Sequence, residues 1–262
     1  MTSVKPLILV TNDDGITAPG IRKLINIMHS LGEVVVVAPD KPQSAMGHAI
    51  TVTTPLMVHQ IPNENNHPEY SCNGTSVDCV KMGVKIVLDR KPDLVVSGIN
   101  HGSNASVNIL YSGTMAAAIE AAIEDIPAIG FSLNDYSIHA NFDGFEDYIK
   151  IIVKQVLNKG LPPATCLNVN IPAIEASAIR GIKVVRQGRG FWNEKYDART
   201  DPFKRNYYWL TGVFEVMDAA EDTDIWAVTN NYIAVVPVHI DMTAHAAIEQ
   251  LKQWGLEKQY TK

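Results

Sequence analysis

Residues 6–15 read Pro-Leu-Ile-Leu-Val-Thr-Asn-Asp-Asp-Gly. The apolar run Pro6–Val10 stops at the turn residues Asn12-Asp13-Asp14-Gly15. A continuous apolar run closed by turn chemistry predicts a strand buried on both faces. Apolar residues then recur at helical spacing at Ile21, Leu24, Ile25 and Met28. Thr17 as N-cap, Pro19 in the first turn and Gly32 past the end bracket an amphipathic helix. Glu33–Ala38 (EVVVVA), stopped by Pro39, predicts a second buried strand. Strand, helix, strand within so short a stretch is a βαβ unit, and it implies a parallel sheet.

The pattern continues outward from this unit. Ile50–Val58 contains Pro55 and reads as an edge strand or hairpin arm. Asn73-Gly74-Thr75 leads into a helical stretch carrying Val77, Val80, Val84, Val87 and Leu88 on one face. Asp93–Ser97 (DLVVS) is another buried strand, followed by the loop Gly98–Ser112, and Thr114–Glu124 is an alanine-rich helix. A short strand at Ala128–Phe131, a helix at Phe142–Leu157 and a strand at Cys166–Val169 follow. Beyond residue 172 the texture changes. Ile182–Arg186, Tyr207–Val213 and Tyr232–Ile240 predict strands, and residues 188–206 between the first two are polar and aromatic without a clear period. This is a β-rich appendage or a long excursion from the α/β core. Met242–Trp254 is expected to close the chain as an amphipathic helix.

The chain has 262 residues, 46% of them apolar and 19% charged, which is ordinary globular composition and argues against disorder. A chain this long buries about 75% of the surface that its unfolded form exposes, so it needs no staple. The formal charge of −6 (22 Lys+Arg against 28 Asp+Glu) argues against a general nucleic-acid binder. The three cysteines, Cys72, Cys79 and Cys166, form no C-x-x-C pair and read as reduced packing residues. The first fifteen residues lack a signal h-region, and no apolar stretch approaches the ~18 residues of a membrane span. The expectation is a soluble, cytoplasmic protein.

In open parallel sheets ligands bind beyond the carboxyl ends of the strands. Residues that follow the predicted strands are Asn12, Asp13, Asp14 and Gly15, then Asp40, Gln43, Ser44, Gly47 and His48, then Asn100, His101, Ser103 and Asn104. Adjacent carboxylates repel unless a cation lies between them. Carboxylate, hydroxyl and amide oxygens suit Mg²⁺, Mn²⁺ or Ca²⁺. The local alternative is that Asp13 or Asp14 caps the following helix. Ser112-Gly113-Thr114, opening an alanine-rich helix, is either a phosphate cradle or an ordinary cap. No Walker pattern, no G-x-G-x-x-G after the first strand and no G-x-S-x-G elbow occur. Of the eight histidines, His101 has the loop position that merits a test. Arg186, Arg189, Arg199, Lys204 and Arg205, with Phe191, Trp192 and Tyr196, suit either an anionic aromatic substrate or a solvated arm with an oligomer contact.

Five motifs then occur in order: VTNDDG at 10–15, A-P-D-x-x-x-S at 38–44, N-G-T-x-V-D-C-V at 73–80, V-S-G-I-N-x-G-x-N at 96–104 and YSGTMAAA at 111–118. With VPVHIDMT at 236–243, this resembles the SurE family of metal-dependent 5′/3′-nucleotidases. The resemblance implies a Rossmann-like three-layer α/β core with a mostly parallel sheet, residues 1–262 forming a single domain. Within it, a C-terminal β-hairpin arm at about 187–240 would be exchanged between subunits of a dimer or tetramer. It implies one divalent ion per subunit, Mg²⁺ or Mn²⁺, held by Asp13, Asp14, Ser44 and Asn100. Asn104 and Ser112-Gly113-Thr114 would hold the substrate phosphate. Ala45 stands where the family more often has glycine, and Ala105-Ser106-Val107-Asn108 where many members have Gly-Asp.

The expected reaction is hydrolysis of nucleoside 5′-monophosphates, and of 3′ esters where the site admits them. Water would attack phosphorus in line, with Asp13 or Asp14 orienting or deprotonating it. Attack by a carboxylate through an aspartyl-phosphate is the mechanistic variant. The rival from another class is a Mg²⁺-binding receiver module, which needs an acceptor aspartate where this chain reads Ser97-Gly98-Ile99-Asn100.

Overall fold

The computed structural model describes residues 5–62, 67–137 and 139–257. β1 (Leu7–Thr11), α1 (Pro19–Met28) and β2 (Glu33–Pro39) form the opening unit, with β1 and β2 parallel and Leu7 paired with Glu33. There follow β3 (Val58–Ile61), β4 (Glu69–Cys72), α2 (Ser76–Met82), β5 (Leu94–His101), α3 (Gly113–Ile123), β6 (Ala128–Leu133), α4 (Glu146–Lys159) and β7 (Thr165–Ile171). The last part comprises β8 (Gly181–Val184), β9 (Gly190–Thr200), β10 (Asn206–Val216), α5 (Asp224–Thr229), β11 (Tyr232–His239) and α6 (Ile248–Lys252).

Nine strands form one sheet in the order β3-β4-β2-β1-β5-β6-β7-β11-β8. Only β3 against β4 and β7 against β11 are antiparallel. Period-two alternation along β1 divides the core between the two faces. Ile8 and Val10 pack with Ile21 and Leu24 of α1 and Ile149 and Val153 of α4. Leu9 packs on the other face with Cys79 and Val80 of α2 and Met115 and Ala118 of α3. Helices on both faces of a mostly parallel sheet make the three-layer α/β fold that the sequence predicts. Burying each of the Val, Leu, Ile and Met side chains among these contributes about 1.5–3 kcal/mol. Cys72, Cys79 and Cys166 are buried and free. No helix among the described residues is long and apolar enough to cross a membrane.

Several local expectations change. α1 begins after Ala18, without a side-chain cap, so Thr17 is not its cap. Pro19 has no N–H to satisfy, which lowers the need for one. Residues 50–57 form no strand; Thr51 instead donates through its N–H and hydroxyl to Asp78, and only Val58–Ile61 pairs with β4. Residues 190–200, which show no hydrophobic period, are a long strand paired with β10 from Gly190↔Val216 to Thr200↔Asn206. Both faces of this hairpin are largely exposed, so no alternation marks it. The hairpin arm spans Gly190–Val216, while β11, within the expected 187–240 arm, lies in the main sheet between β7 and β8. The expected closing helix contracts to Ile248–Lys252, where no residue is buried. An amphipathic segment without a surface to pack on keeps little helical stability.

Candidate active site

Strand order runs outward in both directions from β1 and β5, so the sheet reverses between them. Ligands of such sheets bind in the crevice at the carboxyl ends of the strands at this reversal. Asp13 and Asp14 leave the end of β1, and Asn100 lies near the end of β5. Pairing of β5 with β6 slips between Ser97↔Gly130 and Asn100↔Ser132, a bulge of the kind that re-aims a side chain. Gly98 makes it possible: its φ is +121°, and a Cβ there would stand 2.3 Å from the Phe131 carbonyl oxygen.

Asp13, Ser44, Asn100, Asn104 and Ser112 line one cleft of about 520 Å³. Asp14, Gly113 and Thr114 do not line it, but each touches a residue that does. The Asp14 carboxylate accepts the His101 main-chain N–H at 3.3 Å and the Ser44 hydroxyl. The Thr114 hydroxyl donates to Asp13 Oδ1 at 2.5 Å. At Gly113 a Cβ would lie 2.6 Å from the Asp13 Cβ, so the absence of a side chain there lets α3 approach the carboxylate. Ser112 Oγ caps α3 by accepting the Met115 N–H at 3.0 Å. The Thr114 hydroxyl and the Gly113 N–H are therefore engaged with Asp13, and the Ser112 N–H with the Ile109 carbonyl, while the Ser112 hydroxyl, which only accepts from Met115, keeps its own hydrogen to donate toward the cleft.

The loop bearing Ser44 is held at several points. Gln43 N–H donates to the Asp13 carbonyl at 2.7 Å, and Gly47 N–H to the Tyr111 carbonyl at 3.2 Å. His48 Nε2 lies 2.8 Å from the buried Glu120 carboxylate of α3. Ala45, one residue after Ser44, has φ +61°, the left-handed region where a side chain is strained. Ser106, in the second stretch that departs from the family pattern, has φ +56° and is fully buried. Both departures thus fall where the backbone favours glycine.

Asn104 is set from below by residues that spacing alone did not single out. Its N–H donates to Asn170 Oδ1 at 2.8 Å and its Nδ2 to Ser132 Oγ at 2.7 Å. Asn168 Nδ2 donates to the Asn104 carbonyl at 2.8 Å, and Asn170 Nδ2 to Asn168 Oδ1 at 2.9 Å. Of the aromatic and basic residues expected near a substrate, Trp192 alone lines the cleft. Arg186 pairs with Asp218 and Asp222, Arg199 with Asp197 and Arg205 with Asp201, so these charges are compensated locally. His101 lines the cleft, and its Nε2 contacts the Ser137 carbonyl oxygen at 2.5 Å. A larger hollow of about 1030 Å³ runs along α3 and β11, but it lacks Asp13 and Asn100 and is mainly aliphatic. The strand-end candidates Asp13, Ser44, Asn100 and Asn104 gather in the smaller cleft.

Burial, and next the adjacent Asp14, lift the Asp13 carboxyl to about 6, against the pull of Thr114 and main-chain N–H groups. Burial likewise raises Asp14, opposed by His101 and Ser44. Two crowded carboxylates with raised proton affinity favour a cation as partner. Thr11 Oγ1, Asn12 Oδ1 and Ser97 Oγ, buried at the same strand ends, have no hydrogen-bond partner among the described residues. No cluster of three or more His, Cys, Asp or Glu residues suited to a metal occurs among them either. A set of carboxylate, hydroxyl and amide oxygens fits a hard divalent cation and does not fit a soft one. At the end of β5, where a receiver carries its acceptor aspartate, this chain has Asn100 and His101.

The profile of the family described as Survival protein SurE matches residues 8–194. The chain is 59% identical over 255 residues to the 5'-nucleotidase SurE of Flavobacterium psychrophilum, covering 97% of this chain and 99% of that protein. It is 57% identical to the 5'-nucleotidase SurE of Christiangramia forsetii, over 98% of this chain and 99% of that one. Among solved structures, the SurE protein from Aquifex aeolicus superposes with a TM-score of 0.83 at 41% identity, covering 95% of this chain and all of that one. By profile, near-full-length identity and fold alike, the chain belongs to the SurE family of survival proteins.

Proposed function

We propose that the chain is a metal-dependent phosphomonoesterase that hydrolyses nucleoside 5′-monophosphates, and 3′ esters where the site admits them, to nucleoside and phosphate. The observation that carries this reading is the convergence of Asp13, Ser44, Asn100 and Asn104 on one cleft, with Asp14 against Ser44, in a chain whose relatives are named 5'-nucleotidase SurE. Asp13, Asp14, Ser44 and Asn100 would hold one Mg²⁺ or Mn²⁺ per subunit, and this ion would supply Lewis-acid polarisation of the phosphoryl group. Asp13 or Asp14 orients the attacking water and accepts its proton. Asn104 and the Ser112-Gly113-Thr114 turn at the amino end of α3 bind the phosphate, with the Ser112 hydroxyl as a donor. Phosphate release from AMP that disappears with chelator and returns with Mg²⁺ or Mn²⁺ tests the reading; undiminished release in chelator would overturn it.

Residues 1–262 are read as one domain working in the cytoplasm, with the 187–240 region building a dimer or tetramer. An isolated two-stranded hairpin is marginal in water. Tyr196, Tyr208, Trp209, Leu210 and Val213 of the arm are 59–69% exposed, and Met242 beyond β11 is 84% exposed. A second copy that covers these residues, with exchange confined to the arm beyond the part that lines this chain's own cleft, accounts for them. Light scattering that returns a fully active monomer at micromolar concentration would refute this assembly.

A further inference from the structure

The cleft that begins at the aspartates ends on the hairpin arm. Trp192 and Glu194 of β9 and Thr211 and Gly212 of β10 line it together with Asp13 and Asn100. A phosphomonoester substrate needs the aspartate end alone; the rest of the cleft must receive the group that bears the phosphate. Trp192 is held for such a purpose. Its indole Nε1–H donates to Asn108 Oδ1 at 2.8 Å, and its ring meets Phe214 edge-on with centroids 5.4 Å apart. Trp192 is nevertheless 38% exposed and lines the cleft, so part of its surface is open.

The root of the arm is tied to the same loop by buried groups. Asp224, with no exposed surface, accepts the Ser106 N–H at 2.8 Å through one oxygen and the Gly188 N–H at 2.7 Å through the other. Ser106 Oγ donates to the Gly188 carbonyl at 3.0 Å. Asn108, the partner of Trp192, lies in the short helical turn Ser106–Leu110 that leads directly to Ser112. The distance between the indole and the phosphate-binding end is thereby set by this chain's own covalent and hydrogen-bonded framework, although one lies on the arm and the other on the α/β core.

We infer that Trp192 is the stacking wall for the nucleobase of the substrate, which makes it a specificity-determining residue that favours nucleotides over base-free phosphate esters. This rests on the phosphomonoesterase reading and adds a ligand class to the far end of its cleft. A planar heteroaromatic ring stacks on indole in a sequence-tolerant way, because every base presents a π-face.

The test compares AMP with ribose 5-phosphate, the same phosphate and sugar without the base. Trp192→Ala is expected to lower the ratio of the two kcat/KM values about 5- to 100-fold. Trp192→Phe, which keeps a ring but loses the donor to Asn108, should retain most of the ratio. Trp209→Ala, an exposed change on the same arm but outside the cleft lining, should leave the ratio as in wild type. As a second readout, quenching of tryptophan fluorescence by adenosine should be strong in wild type and lost in Trp192→Phe. An unchanged AMP to ribose 5-phosphate ratio in Trp192→Ala overturns this inference and leaves the phosphomonoesterase reading intact. Wild-type protein that hydrolyses neither ester overturns that reading and the stacking subsite with it.

Discussion

Replacing Asp13 by asparagine removes one of two adjacent carboxylates from a site where it is 3% exposed. Burial and Asp14 raise its pKa from 3.8 to about 6 in the metal-free chain. At about 1.36 kcal/mol for each tenfold change in proton affinity, this costs the folded, ionised state roughly 3 kcal/mol at neutral pH. The sign follows from the raised value. The unfolded chain loses this proton near 3.8 and the folded chain near 6, so stability falls between those values and the cost stays constant above them. Asparagine cannot ionise and avoids the cost, but its amide receives the Thr114 hydroxyl and the Gly113 N–H less well, a loss of about 1 kcal/mol. The net expectation for Asp13→Asn in chelator at pH 7.5 is a gain of about 2 kcal/mol, or about 4–8 °C in Tm for a chain of this size. At pH 4 the gain should vanish. Added Mn²⁺ should raise the Tm of wild type more than that of the variant, because stabilisation by a bound ion grows with the logarithm of its affinity, and turnover should fall by several orders of magnitude. Thermal unfolding at the two pH values, with and without Mn²⁺, reads all of this. A metal-free Asp13→Asn that melts below wild type at pH 7.5 would show that the pair is not strained by its own charge.

Ala45→Gly relieves a left-handed residue at φ +61° and should stabilise the protein by about 1 kcal/mol in denaturant titrations without loss of turnover. Gly113→Val places a side chain against the Asp13 carboxyl, so calorimetry should find Mn²⁺ affinity reduced along with phosphate inhibition; loss of phosphate inhibition alone would mean that α3 does not brace the aspartate. Asn170→Leu leaves the buried Asn104 N–H without its acceptor and should cost about 1–3 kcal/mol of stability and about tenfold in kcat/KM. Asn170→Asp keeps an acceptor for Asn104 but loses the donor to Asn168 Oδ1 and buries a carboxyl, so it should not restore wild-type stability.

Much of this molecule is legible along the chain. The runs at Pro6–Val10, Glu33–Ala38 and Asp93–Ser97 are long, apolar and closed by turn residues, so they identify parallel strands buried on both faces. Once those strands are placed, their carboxyl ends yield a list of candidates that includes Asp13, Asp14, Ser44 and Asn100, because open α/β sheets bind ligands there, and the family resemblance narrows the metal set to these four. Chemistry that depends on strand ends and on oxygen-rich side chains is local information. The order of the strands, by contrast, comes from pairing between distant segments, and so does the reversal between β1 and β5 that makes their ends into one crevice.

Tertiary structure alone decided what each side chain is engaged with. Thr114 reads as a phosphate ligand, yet its hydroxyl is committed to Asp13, while the Ser112 hydroxyl caps α3 as an acceptor. The Asn168–Asn170 support for Asn104 joins residues more than sixty positions apart, which no local period announces. Of the hairpin, Tyr207–Val213 in β10 reads as a strand, whereas β9 escaped the residue-by-residue reading because a strand exposed on both faces has no alternation of apolar and polar residues to display. Amphipathic pattern records only the contacts that exclude water. Hydrogen-bond partners, close approaches such as Gly113 against Asp13, and the reach of the arm to the cleft at Trp192 are fixed by the fold.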